Sequence, residues 1–154
     1  MALHEAVAIY APSVQIKWPN DLVFGGAKLA GILLERHGDA VVIGFGVNLA
    51  HYPIGLDRPV TSIADLAGIA PQPGGFVDIL VDTFARWLGR WRGEGIAPVR
   101  RAWLAAAYPP GTALETSEGE GLFDGIDESG ALRLRLADGS LRTIHAGDVF
   151  LLGT

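Results

Sequence analysis

Apolar positions recur at two different periods along this chain, and each change of period marks a new part. Near the start, Leu3, Ala6, Val7 and Tyr10 fall at i, i+3, i+4 and i+7. That spacing predicts a helix over residues 1–11, ended by Pro12. From Val14 the period shortens. Val14-Gln15-Ile16-Lys17 reads as a short strand, Leu22-Val23-Phe24 as a second and residues 28–36 as a longer third. Gly25-Gly26 between the last two predicts a two-residue hairpin loop, because a type I′ turn needs φ > 0 twice. Gly38-Asp39 turns the chain into a further strand over 40–48. There Val41, Ile43, Phe45 and Val47 alternate with Ala40, Val42, Gly44, Gly46 and Asn48. The first set is expected in a core. The second leaves a floor without side chains, which a flat ligand, another backbone or a packed helix could approach.

Beyond a Pro/Gly-containing loop at 49–61, the helical period returns. Ser62 is a suitable N-cap for Ile63-Ala64-Asp65-Leu66-Ala67, closed by Gly68. Residues 76–91 are amphipathic, with Phe76, Leu80, Phe84, Trp87, Leu88 and Trp91 on one stripe. A further helix over about 98–107 is expected to bury Val99, Trp103 and Leu104. Pro109-Pro110-Gly111 marks a boundary. After it come strands expected at 112–116, 120–126, 131–136, 141–145 and 148–152, punctuated by glycine turns. Leu132, Leu134 and Leu136 alternate there with Arg133 and Arg135, a half-buried pattern. Regular short strands of this kind suggest a small barrel. Such a unit is marginal alone and should pack on what precedes it.

Composition narrows the functions open to the chain. Its 154 residues allow one domain, or one with a small appendage. The net charge of −5 argues against a nucleic-acid surface. With no cysteine, neither disulfides nor a thiolate nucleophile nor a thiolate metal site is possible. The first residues lack the basic, then apolar pattern of a signal peptide, and no run is long and apolar enough to span a membrane. A cytoplasmic setting is the expectation. Hydrophobic residues reach 49% before any of the 21 glycines is counted. The usual share is about 45–50% with glycine included. A Gly- and Ala-rich lineage would account for this, as would a surface whose covering part is absent.

The chemistry concentrates in Lys17-Trp18-Pro19-Asn20-Asp21 and, seven residues on, Lys28-Leu29-Ala30-Gly31-Ile32-Leu33. With a two-residue loop at Gly25-Gly26, Phe24 pairs with Ala27 and Asp21 falls opposite Ala30. Asp21 and Lys28 then become diagonal neighbours on one face. A three-residue loop would put them on opposite faces. A solvated surface hairpin could carry the same residues. His4, His37, His51 and His145 are scattered without ligand spacing and read as surface or packing residues. Gly44-Phe45-Gly46 lacks the third glycine and following helix of a dinucleotide loop, and no P-loop lysine follows.

The two lysine-containing stretches strongly resemble the central motif of biotin protein ligases. Val42-Ile43-Gly44-Phe45-Gly46-Val47-Asn48 resembles that family's glycine strand. Gly125-Ile126-Asp127 through Gly130-Ala131-Leu132, with Ala146-Gly147-Asp148-Val149, resembles its C-terminal domain. The resemblance implies an α+β fold, with a mixed or antiparallel sheet and helices on one side, like the class II synthetases. It implies a catalytic-type domain over 1–108 and a small SH3-like barrel over 109–154. It also implies an ATP-dependent ligase that makes biotinyl-adenylate and transfers biotin to a lysine of a biotin carboxyl carrier protein domain. Biotin, ATP and Mg²⁺ are then the expected small molecules, with no nucleic acid or membrane as partner.

By the same resemblance Lys28 and Asp21 are the catalytic positions. Lys28, Gly31, Gly44 and Gly46 would line the biotin site. Asn20, Asn48 and Lys17 would bind ATP, and Asn20, Asp21 and Asn48 would meet its Mg²⁺. The family's arginine- and glycine-rich loop over biotin, and its Ser/Thr-Asn segment, lie upstream of the first helix and have no counterpart in 1–11. The expectation is therefore a chain inactive alone, or one completed by a homodimer or another partner. A non-catalytic carrier-binding or self-associating fragment and a lipoate or octanoate ligase are the alternatives.

Overall fold

The computed structural model describes residues 1–152; residues 153–154, the end of the expected C-terminal unit, lie outside the described residues. Four strands form the first sheet in the order β1 (Gln15–Lys17), β2 (Asp21–Phe24), β3 (Ala27–His37) and β4 (Ala40–Val47). Every ladder in it is antiparallel. Helices α1 (Ala2–Ala8) and α3 (Pro73–Glu94) cover one face. Leu3, Ala6 and Val7 of α1, Phe76 and Leu80 of α3, and Ile16, Leu22 and Leu29 of the strands are buried together. The helical period in the sequence names most of these residues, because burial of one stripe against a sheet is what selects that period. The short helix α2 (Ile63–Ala67) starts at a reciprocal capping box. The Ser62 hydroxyl accepts from the Asp65 amide while the Asp65 carboxylate accepts from the Ser62 amide, and left-handed Gly68 ends it.

Helix α4 (Ile96–Ala106) leads to a second sheet of β5 (Ala113–Thr116), β6 (Gly119–Ile126), β7 (Leu132–Arg135), β8 (Leu141–Ile144) and β9 (Val149–Leu151). Its spatial order is β8-β7-β6-β5-β9. The five strands match the five expected. Among the described residues no ladder joins β8 to β9, so the expected barrel is an open sheet wrapped around one core. Leu114, Phe123, Leu132, Leu134, Ile144 and Val149 fill that core, joined by Trp18 of the β1–β2 turn, Val23 of β2, Ala107 and Tyr108. The two units are thereby fused. The Trp18 indole donates to the Gly130 carbonyl at 3.0 Å, and the Arg100 guanidinium of α4 bonds the carbonyls of Ile126 and Asp127. Trp103 is half-buried between both cores rather than inside one.

Two further expectations need correction. The hairpin turns on Gly25-Gly26 as predicted, both with positive φ, but the β2–β3 register slips between Leu22 and Val23. Asp21 therefore faces Gly31, not Ala30. The apolar set of β4 is also only partly covered. Ile43, Phe45 and Val47 are half-buried while Val41 is 58% exposed. The same holds at the end of the α3 stripe, where Trp91 is 52% exposed. Helix and strand part company there, leaving a cleft of about 510 Å³ between Leu34, Val41, Ile43, Trp87, Leu88 and Trp91. Period predicts which side a residue points to, but not whether anything lies on that side.

His4 of α1 supplies a pH test of this packing. Its Nε2–H donates to the Val14 carbonyl at 3.1 Å, and its Nδ1 is buried without a partner. Burial, chiefly, lowers its pKa from the ordinary value. A second proton would sit on an orphaned nitrogen, so the unfolded chain binds that proton more readily than the folded one. Stability should therefore be intact above about pH 6.5 and fall as pH drops through the histidine range. Urea unfolding between pH 7.5 and 5 would read this, and His4→Gln should flatten the slope.

Candidate functional site

The face of the first sheet opposite the helices carries the motif. Lys17 on β1 lies directly opposite Asp21 on β2, and Asp21 lies directly opposite Gly31 on β3. The slip in register decides what stands there. Without it the Ala30 methyl would face the carboxylate; with it, a residue lacking any side chain does. A Cβ added at Gly31 would lie 3.0 Å from Asp21 Oδ1 and 3.1 Å from Lys28 Nζ. Glycine leaves the space in which those two groups meet, at 2.5 Å. Lys17 reaches the other carboxylate oxygen at 3.8 Å. Asp21 is 8% exposed, and a carboxylate so buried needs such partners. Two ammonium groups and one carboxylate leave the cluster net positive.

The Lys17 ammonium also lies 5.6 Å from the centre of the Phe150 ring, a contact supplied by the second sheet. Burial, first of all, lowers the Lys17 pKa; the Lys28 and Arg58 charges push it the same way, and Asp21 and Asp148 oppose them.

Beside this cluster the floor is bare. Gly31 pairs with Gly46, and Gly44 with Leu33, across the β3–β4 ladder. Gly44 and Gly46 are exposed, and a Cβ on either would meet nothing closer than 3.7 Å. The alternative of a helix packed over the glycines is excluded. The four residues Asp21, Lys28, Gly31 and Gly46 therefore form one patch, with Gly44 extending it. A flat ligand can lie on the glycines with an anionic group turned toward Lys28.

The two asparagines sit at its margins. Asn20 Nδ2 donates to the Ile32 carbonyl at 2.6 Å, which leaves its oxygen as the free coordinating atom. Asn48 Nδ2 donates to the Thr61 carbonyl at 2.9 Å. This fastens the end of the 49–61 loop. That loop is also bonded to the motif itself, Lys28 N–H to the Pro59 carbonyl at 2.9 Å and Thr61 N–H to the Lys28 carbonyl at 3.0 Å. Sequence reading missed this loop. A parallel bridge between Lys28 and Val60 has no periodic signature, because only one residue on each side takes part. Reading the motif alone also missed Phe150, which comes from the far end of the chain. Among the described residues no three His, Cys, Asp or Glu side chains group to hold a metal ion, and no helix is long and apolar enough to cross a membrane.

Residues 2–48 match the biotin/lipoate A/B protein ligase family, and residues 113–152 match the biotin protein ligase C-terminal domain. A biotin–[acetyl-CoA-carboxylase] ligase of Paracoccus denitrificans is 42% identical over 99% of this chain and 70% of its own length. The bifunctional ligase/repressor BirA of Escherichia coli is 33% identical, over 92% of this chain and 47% of its own. The chain thus spans from about half to 70% of the curated relatives it matches. A biotin protein ligase from Aquifex aeolicus in complex with biotin and ATP superposes with a TM-score of 0.83 at 18% identity. That alignment covers 97% of this chain and 69% of the other, a likeness of fold.

Gly31→Ala tests the geometry. The added methyl should part Lys28 from Asp21 while leaving the sheet folded. The expected cost is about 1–3 kcal/mol in urea unfolding, since the methyl crowds both Asp21 Oδ1 and the Lys28 ammonium. Pyrophosphate affinity at the site should fall at least severalfold in a titration of the same protein.

Proposed function

Because the chain belongs to the biotin protein ligase family, we propose that it forms biotinyl-adenylate from biotin and ATP and passes biotin to a lysine of a carrier-protein domain. The observation that carries this reading is the Lys28 ammonium, held at 2.5 Å by a buried Asp21 beside an open glycine floor. In the first step the biotin carboxylate attacks the α-phosphorus and pyrophosphate leaves. Two anions must meet. At 4 Å, two unit charges repel by about 4 kcal/mol at an effective dielectric near 20. An ammonium fixed between them before they arrive removes much of that barrier without reorganising during the reaction.

Lys28 takes this role. Asp21 holds it in place and is not itself the base. Gly31, Gly44 and Gly46 support the biotin rings, and Lys17 adds positive charge for the phosphates. In the second step the carrier lysine attacks the acyl carbon of the adenylate and AMP leaves. The oxygens of Asn20 and Asn48, with Asp21, are hard donors of the kind Mg²⁺ takes. They form no complete cage, which suits a metal that arrives on the phosphates and keeps part of its water shell. When bound, it would neutralise phosphate charge.

In this reading Pro109-Pro110-Gly111 is the boundary, with 1–108 as the ligase-type unit and 109–154 as the C-terminal unit. The apolar cleft between β4 and α3 suits a covering segment or a second subunit. ATP as cosubstrate supports a cytoplasmic setting.

Biotin-dependent exchange of pyrophosphate into ATP, and biotin transfer to an apo carrier domain, test the proposal directly. Lys28→Ala should lower exchange by about two to three orders of magnitude, as loss of a preorganised electrostatic group does elsewhere. It should remain folded, since Lys17 still reaches Asp21. Unchanged exchange in that variant would overturn the role given to Lys28, and exchange with lipoate in place of biotin would favour the related ligase class.

A further inference from the structure

We infer that Arg58 is a phosphate-binding residue, contacting the terminal phosphates of the nucleotide and then the leaving pyrophosphate. The inference rests on the ligase reading above and adds a residue to that site. A cavity of about 200 Å³ lies where the two sheets meet, lined by Lys17, Asp21, Lys28, Arg58, Asp148 and Phe150 among others. Its three cations do not have equal freedom. Lys28 and Lys17 share the carboxylate of Asp21, at 2.5 and 3.8 Å. Among the described residues Arg58 has no ion-pair partner within 4.0 Å. It is exposed, yet its charge acts on the Lys17 ammonium.

The backbone keeps Arg58 at the cavity. Pro59, its neighbour, accepts from the Lys28 amide, Thr61 donates back to the Lys28 carbonyl, and Asn48 bonds Thr61 from the other side. Three hydrogen bonds within three residues of Arg58 root its side chain beside Lys28 while leaving its end free. A guanidinium presents two parallel donors, a match for two oxygens of one phosphate. A triphosphate carries more negative charge than two lysines already shared with a carboxylate can offset. The cavity is also smaller than a site for a whole nucleotide. It suits the phosphate tail, with the remainder of the ligand lying over the glycine floor.

Equilibrium titration with ATP, AMP and inorganic pyrophosphate separates the possibilities. Arg58→Gln should weaken ATP and pyrophosphate about tenfold, the scale of a charge-assisted pair, and AMP by less than about twofold. Arg58→Lys should fall between, keeping the charge but losing the fork. ATP and AMP weakened alike, or ATP affinity unchanged in Arg58→Gln while the parent chain binds it, would overturn the assignment of Arg58 and leave the ligase reading standing. A parent chain that binds neither ATP nor pyrophosphate would remove the ligase reading and this one with it.

Discussion

The site depends on a missing side chain. Asp21 is buried, and a buried carboxylate is tolerable only where cations reach it. Lys28 meets it in the space left by Gly31, which lies directly across the ladder because the β2–β3 register slips by one residue. The same slip sets Ala30 opposite Leu22, so that it is buried in the helical core beside Leu29. One irregularity thus serves both faces of the sheet. It sends an apolar residue to the packed side and clears room for an ion pair on the open side. Bulges re-aim side chains in this way wherever an alternating strand would put the wrong residue forward.

The second sheet contributes more than bulk. Trp18, inside the lysine motif, is 7% exposed and packs in the core of the second sheet, with its indole N–H on the Gly130 carbonyl. Phe150 lies beneath the Lys17 ammonium. The motif is therefore gripped from both sides, by its own ladder and by a unit more than a hundred residues away in the chain. That grip limits the freedom of Lys17 and Lys28. Fixed dipoles and charges stabilise a reacting centre best when nothing has to move.

The molecule also presents two open surfaces of opposite character. One is the glycine floor with its cationic cluster. The other is the cleft between β4 and α3, walled by aliphatic and aromatic side chains. The first is what a ligand site requires. The second exposes apolar area of a kind that packed partners normally cover, and it agrees with a composition richer in apolar residues than a closed domain of this length needs.

Sequence alone settled what local physics governs. Helices α1, α2 and α3, the Gly25-Gly26 turn, the five late strands and the sidedness of β4 follow from period, capping and backbone freedom, which neighbouring residues decide among themselves. The pairing of Lys28 with Asp21 on one face was likewise legible, because alternation survives a slip so long as both residues keep their side. Tertiary structure decided the rest. It chose Gly31 over Ala30 as the residue opposite Asp21, brought Phe150 and the 49–61 loop to the lysines, left the second sheet open at β8 and β9, and left half of β4 uncovered. Each of these turns on contacts between segments distant in the chain. Their outcome is set by shape and burial, and no periodicity in the residues themselves records it.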